Sequence, residues 1–278
     1  MKQRIVSAIV GLAILAVVLL GFETLLLNTA VSLISILALY ELFHAAGLLR
    51  HRQMAAATWI YAGLFPFFRE FFDYDLLPLV SLLYLLAMLA ILLRNHRTIR
   101  FQDVLTAGAF GVMISASFTN VVLFRNNNGW LGGVFCVMIL LGSAWFSDTC
   151  AYFTGRAFGK HKMAPVISPH KTVEGLIGGL IGSVVCNLLM AWALSLIFQA
   201  FGVAHTVQYF AVAAGTLLGS AASVIGDLTA STIKRQCGVK DFGNIMPGHG
   251  GVMDRFDSVL MVSPVIYLFS CFVPLIII

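Results

Sequence analysis

The side chains in this sequence best suited to chemistry stand close together near its end. Between Lys240 and Asp257, "KDFGNIMPGHGGVMDRFD" holds three carboxylates, two basic residues, four glycines, a proline and a histidine. Asp254 and Asp257 are three residues apart, so on a helix both project from the same side of its first turn. The "PGHGG" before them strips side chains from the backbone and permits positive φ, which lets main-chain N–H groups approach an anion. Just upstream, "SVIGDLTASTIKR" puts Ser223, Asp227, Ser231 and Lys234 on one helical face, because positions three or four apart stack. That face is too polar to meet lipid. Mg²⁺ prefers oxygen ligands and commonly binds one or two carboxylates while keeping water and phosphate oxygens. Asp227, Asp254 and Asp257 supply such ligands if their two helices pack together. Lys171, Lys234, Lys240, Arg235 and Arg255 then offset phosphate charge, arginine by its planar fork and lysine as a point charge. A solvated basic turn touching anionic lipid heads accounts for any single cation. It accounts for neither the acids nor the glycines.

Other polar residues interrupt apolar stretches and need a reason, since an ionisable group in hydrocarbon is costly unless paired or wet. Asp148, in "SAWFSDTCAYFTGR", has hydroxyl neighbours and reads either as functional or as a hydrogen-bonded structural acid. Glu41 has the interface and His44 within reach and reads at least as well as a structural group as a catalytic one. Glu174 also falls in an apolar stretch. His249 either donates to a phosphate or shapes the turn. "GRAFGKH" at 155–161 fails as a phosphate-binding P-loop: three residues rather than four separate its glycines, and His161 follows the lysine.

The elements that must position these residues are membrane spans. The chain has 278 residues, 60% hydrophobic and 10% charged, against about 25% charged in a soluble domain. Apolar segments at about 5–22, 25–48, 55–72, 76–93, 104–124, 130–154, 173–200, 209–232 and 256–278 are each long enough to cross a hydrocarbon layer roughly 30 Å thick. The expected fold is all-α, a polytopic integral membrane protein of about nine helices. With the N-terminus in the cytoplasm, all the Lys and Arg residues except Arg69 and Arg125 fall on the cytoplasmic side, as the positive-inside rule requires. Lys2 and Arg4 then flank a first span rather than a signal peptide, since no cleavage site follows. The five cysteines form no CxxC pair, so neither a disulfide framework nor a zinc site is expected. Residues 1–125 read as about five scaffold or lipid-facing helices. Residues 126–278 read as the catalytic membrane region, with cytoplasmic loops at 155–172 and 233–255.

The segment "STIKRQCGVKDFGNIMPGHGGVMDRFDS", Ser231 to Ser258, closely resembles the hallmark of the phosphatidate cytidylyltransferases, also called CDP-diacylglycerol synthases. "SDTCAYFTGRAFGKHK" from Ser147 and "SPHKTVEGLIGG" from Ser168 look like the same family. The sequence departs from its relatives at Ala230, where they commonly carry Glu, at Cys150 for Gly and at Val173 for Trp. The resemblance implies an integral inner-membrane enzyme, with its active site facing the cytoplasm, that joins CTP to phosphatidic acid with Mg²⁺. By motif position Asp227, Asp254 and Asp257 would hold the metal, with Lys234 and Arg255 beside them in catalysis. Asp148, Lys171, Arg235, Lys240, Asp241, His249, Gly250 and Gly251 would line the nucleotide and phosphate pocket. The same resemblance leaves open a second, monovalent cation and a homodimer. Membrane lipids are the expected surroundings, and no nucleic acid is expected as a partner.

Two other readings compete. A related CTP-dependent transferase acting on an ether lipid or a polyprenol is not separated by the sequence, because lipid-facing apolar residues carry little specificity. An ion-coupled transporter would also use intramembrane carboxylates, but here the polar residues collect toward one face, and no inverted repeat is visible.

Overall fold

The computed structural model describes residues 2–72, 75–246, 248 and 250–278. Among these described residues nine α-helices follow in order: α1 (Lys2–Leu20), α2 (Leu25–Ala45), α3 (Arg52–Leu64), α4 (Phe68–Phe71), α5 (Leu77–Arg94), α6 (Phe101–Phe158), α7 (Val173–Ala200), α8 (Tyr209–Gln236) and α9 (Met253–Phe272). Between α6 and α7 lies a small antiparallel hairpin of β1 (Lys162–Ala164) and β2 (Ser168–Thr172). A second short pair joins β3 (Thr206–Val207) to β4 (Ile276–Ile277). Among the described residues six helices are long and apolar enough to cross a membrane, namely α2, α5, α6, α7, α8 and α9. The chain is an all-α, multi-pass membrane protein.

Three of the expected spans take a different form: two run together in one broken helix and one is divided. Helix α6 runs for 58 residues, which at 1.5 Å per residue is about 87 Å, far more than a bilayer. Gly129 breaks it with φ 68° and ψ −168°, a conformation open to glycine and costly for a residue with a Cβ. The two arms, 101–128 and 130–158, are each of span length and contain the apolar segments expected at 104–124 and 130–154. The segment expected at 55–72 is divided. Pro66 has no N–H to donate and sits in a 3₁₀ turn at Phe65–Phe67, separating the 13-residue α3 from the single turn of α4. A 13-residue helix is about 20 Å long, short of the hydrocarbon thickness.

The chain forms two compact units that are interleaved in sequence. The first comprises Met1–Val122 and Cys237–Arg255. Its interior is apolar, with Leu39, Leu42, Phe43, Met54, Ala62 and Met88 buried, and its helices are tied by a few side-chain hydrogen bonds. Asn28 Nδ2 donates to Pro66 O (2.7 Å) and Ser32 Oγ to Gly63 O (2.8 Å), joining α2 to the carbonyls around the α3 terminus. Tyr84 on α5 stacks on Tyr61 (4.2 Å between centroids) and donates to Ala107 O (3.0 Å). At one end Asp103 gathers Arg50 (3.0 Å), Arg100 (3.3 Å) and His51 (3.4 Å).

The second unit comprises Leu123–Gln236 and Phe256–Ile278. Its centre is a small-residue, hydroxyl-lined seam of the kind that lets membrane helices approach without a hydrophobic driving force. Asn187 Nδ2 on α7 reaches Ile139 O (3.1 Å), Ser143 Oγ (3.0 Å) and Thr216 Oγ1 (2.9 Å). Ser183 and Ser220 share a hydrogen bond of 2.7 Å. Together these tie α7 to α6 and α8, and α8 carries Asp227.

Candidate functional site

In the second unit α8 presents Ser223, Asp227, Ser231 and Lys234 at the spacing that places them on one face. Ser231 Oγ donates to Asp227 Oδ1 at 3.4 Å, one turn back. Lys171, near the end of β2, forms an ion pair with Asp227 Oδ2. On α9, Asp257 Oδ1 accepts from Ser258 N (2.8 Å), and its Oδ2 lies 4.0 Å from Lys234 Nζ. Ser258 Oγ donates in turn to Asp148 Oδ2 on α6 at 3.4 Å. Asp257 therefore sits in the field of two acids, Asp227 and Asp148, and one cation, Lys234. At Gly226 a Cβ would meet Asp257 O at 2.8 Å, so the absence of a side chain there lets α8 and α9 close on each other beside the two acids.

Two carboxylates matched by two lysines form a charge-balanced pair of pairs. None is sealed away: the side chains of Lys171 and Asp227 are 26% and 24% exposed, and those of Lys234 and Asp257 13% and 12%. Oxygen-only donors backed by cations suit a hard divalent ion that arrives with phosphate. Were a metal ion to take the carboxylates, the lysines would be free to turn to phosphate oxygens.

The hairpin that delivers Lys171 is fixed by α7. Thr172 caps that helix, its Oγ1 accepting from Gly175 N at 3.1 Å, a favoured N-cap pairing. Glu174, flagged in the sequence as an acid in an apolar stretch, folds back onto the loop instead. It accepts from Lys160 N (3.1 Å) and His161 N (3.2 Å), and its Oε1 lies 2.6 Å from His161 Nδ1. The stretch "GRAFGKH" accordingly forms the end of α6 and the entry to β1.

In the first unit the segment 237–255 is built around two carboxylates used in another way. Asp254 Oδ2 accepts from Phe242 N (2.8 Å) and Gly251 N (3.1 Å). Glu41, from α2, accepts from Met253 N at 2.8 Å through Oε2 and is only 1% exposed. Of the two partners within reach in the sequence, the interface and His44, Glu41 takes neither, and His44 lies against the Tyr40 ring (6.3 Å, 23°). Gly250 takes φ 86° and pairs with Met246 in an isolated bridge. A cleft of about 370 Å³ opens between α2 and the 239–245 stretch, with Glu41, His44, Asp241 and Asn244 in its wall.

Of the residues singled out in the sequence, the second unit brings together Asp148, Lys171, Asp227, Lys234 and Asp257, while Arg235 is exposed at the end of α8. Gly250, Gly251 and Asp254 lie together in the first unit, and Lys240, Asp241 and Arg255 are exposed on it. His249 lies outside the described residues. Among those described, no three His, Cys, Asp or Glu side chains are gathered as a metal-binding group. Ser258 is an addition, and Glu41, singled out in the sequence as an acid in an apolar run, takes its place in the first unit by binding a backbone amide. The only mark of Glu41 in the sequence is its charge within an apolar run.

Comparison with known proteins gives a consistent picture. The profile described as the Cytidylyltransferase family matches residues 2–273. A phosphatidate cytidylyltransferase of Bacillus subtilis is 32% identical over 276 residues, covering 96% of both chains. One from Staphylococcus haemolyticus is 31% identical over 282 residues, covering 96% of this chain and 97% of the relative. A third, from Staphylococcus saprophyticus, is 37% identical over 194 residues, 70% of this chain and 68% of its own.

Proposed function

The chain belongs to the cytidylyltransferase family, and from that membership we propose that it transfers a cytidylyl group from CTP to phosphatidic acid, releasing pyrophosphate and leaving CDP-diacylglycerol in the membrane. The observation that carries this reading is the pair of lysine–aspartate contacts, Lys171–Asp227 and Lys234–Asp257. It puts matched acids and cations at one end of apolar helices, where a lipid headgroup and a water-borne nucleotide can meet.

A phosphate oxygen of phosphatidate forms a bond to the α-phosphorus of CTP. The bond from that phosphorus to the bridging oxygen breaks, and pyrophosphate leaves with the electron pair. A phosphate monoester is already largely dianionic near neutral pH, its second pKa being about 6. Little general-base help is needed, and the obstacle is the repulsion between two polyanions. Lys171 and Lys234 counter that repulsion and hold the phosphates in line for displacement. Arg235, Lys240 and Arg255 add positive charge at the rim. His249, Asp241, Gly250, Gly251 and Asp148 are the proposed nucleotide-side lining.

Mg²⁺ is the proposed cofactor, and it would neutralise charge on the reacting and leaving oxygens. Asp227 and Asp257 fit it by donor type and by their lysine counter-charges. Asp254, one turn before Asp257 on α9, is the third proposed ligand. We place the N-terminus and the reacting end of the molecule in the cytoplasm on the distribution of Lys and Arg, with about nine crossings of the inner membrane in which α3, the 3₁₀ turn and α4 together make one broken crossing. The test is to incubate purified protein with labelled CTP, Mg²⁺ and phosphatidate. Labelled lipid formed with equimolar pyrophosphate supports the reading. A protein that folds and inserts yet makes neither product overturns it.

A further inference from the structure

Glu41 is used by none of the steps above, yet its burial and contacts are unlike those of a spectator. It is carried by α2, 212 residues before the amide it binds. Its Oε2 accepts from Met253 N, the first residue of α9, while its Oε1 is buried with no hydrogen-bond partner among the described residues. A buried carboxylate with an unsatisfied oxygen is costly and persists where the surroundings over-determine it.

The glycines of the neighbouring loop show what it is for. Gly250 has φ 86°, so its lack of a side chain answers a backbone need. Gly243 and Gly251 have no such need, since neither adopts a positive φ. At each of them, the three atoms nearest to the place a Cβ would take all belong to the Glu41 side chain, well inside van der Waals contact. The loop thus closes over the Glu41 carboxylate from two sides, and the same carboxylate anchors the start of the helix that carries Asp254.

We propose that Glu41 is a positioning residue for the 242–254 segment: its carboxylate is the template over which the glycine loop closes, and Gly243 and Gly251 are glycines because that carboxylate fills the space of their side chains. What the segment does in catalysis rests on the function proposed above. The template itself does not depend on that function and can be read separately.

The experiment is a steric exchange scored twice, by turnover and by hydrogen exchange of the 242–254 amides in detergent-solubilised protein. Gly251→Ala is expected to lower kcat about tenfold or more and to speed amide exchange in that segment. Glu41→Asp, which withdraws the carboxylate by one methylene, is expected to cost a few-fold alone. Combined with Gly251→Ala it should restore both turnover and protection several-fold above Gly251→Ala alone. Gly250→Ala should not be rescued by Glu41→Asp, because its obstacle is φ. Glu41→Gln, which keeps an oxygen acceptor for Met253 N, should retain the exchange protection that Glu41→Ala loses, and this arm holds even where the alanine variants fold poorly. The inference is overturned if Gly251→Ala behaves as wild type, or if Glu41→Asp restores neither quantity. A wild-type protein without transferase activity, but with the exchange pattern as described, would refute the proposed function and leave the template standing.

Discussion

The two units use the same functional group to opposite ends. In the second unit Asp227 and Asp257 face lysines, and all four side chains keep some exposure. In the first, Asp254 and Glu41 face backbone amides and are only 8% and 1% exposed. An acid held by lysine can exchange that partner for a cation or cede it to a phosphate without breaking the fold. An acid held by main-chain N–H groups cannot be released so cheaply, because a stranded buried donor costs about 1–3 kcal/mol. The first arrangement suits turnover and the second suits shape. Asp254 belongs to the second by its contacts and to the first by its proposed role, which makes it the sharpest place to test the distinction.

The largest effect is expected at Asp227. Its replacement by Asn removes a proposed ligand and leaves Lys171 without its ion-pair partner, and kcat should fall by roughly 10²–10³-fold, the scale of losing one electrostatic stabiliser. Rates within a few-fold of wild type would break the comparison. At Asp254 two substitutions separate the roles. Asp254→Asn keeps an oxygen for Phe242 N and Gly251 N, so amide exchange there should stay slow while turnover falls at least tenfold. Asp254→Ala should lose both, and equal exchange in the two variants would remove the loop-holding role. A smaller effect is expected for Lys171→Met, about 10- to 100-fold in kcat/KM, the equivalent of losing a charged hydrogen bond of roughly 1.5–3 kcal/mol. The smallest is Asn187→Ala, far from the acids. It should cost about 1 kcal/mol of stability, typical of an interhelical hydrogen bond in a membrane protein, and lower the unfolding midpoint with no change in KM for CTP.

The sequence made the membrane architecture legible because apolar run length is a one-dimensional property, and so was the clustering of acids, cations and glycines between Ser231 and Ser258. Features that depend on tertiary packing were not. The break at Gly129 lies between two apolar runs that are each complete, yet nothing local shows that the chain stays helical up to it on both sides. Pro66 was visible, but its consequence, a divided segment at 55–72, depends on Asn28 being placed to take up Pro66 O. Lys171 and Asp227 were both named as candidates by residue type. Their pairing needed the β1–β2 hairpin, whose short strands carry almost no periodic signal. Glu41 was the hardest to interpret, since its partner amide lies at the far end of the chain and a backbone N–H has no sequence signature.

The acids of α8 and α9 are proposed to hold a divalent ion for phosphate chemistry, and metal binding is the direct probe of that role. Mn²⁺ can stand in for Mg²⁺ and be followed by electron paramagnetic resonance as it is titrated into purified protein with CTP present. Wild-type protein should bind saturably, with binding weakened at least tenfold in Asp227→Asn and in Asp257→Asn, while Asn187→Ala should bind as the wild type does. Unchanged affinity in both aspartate variants would contradict that role.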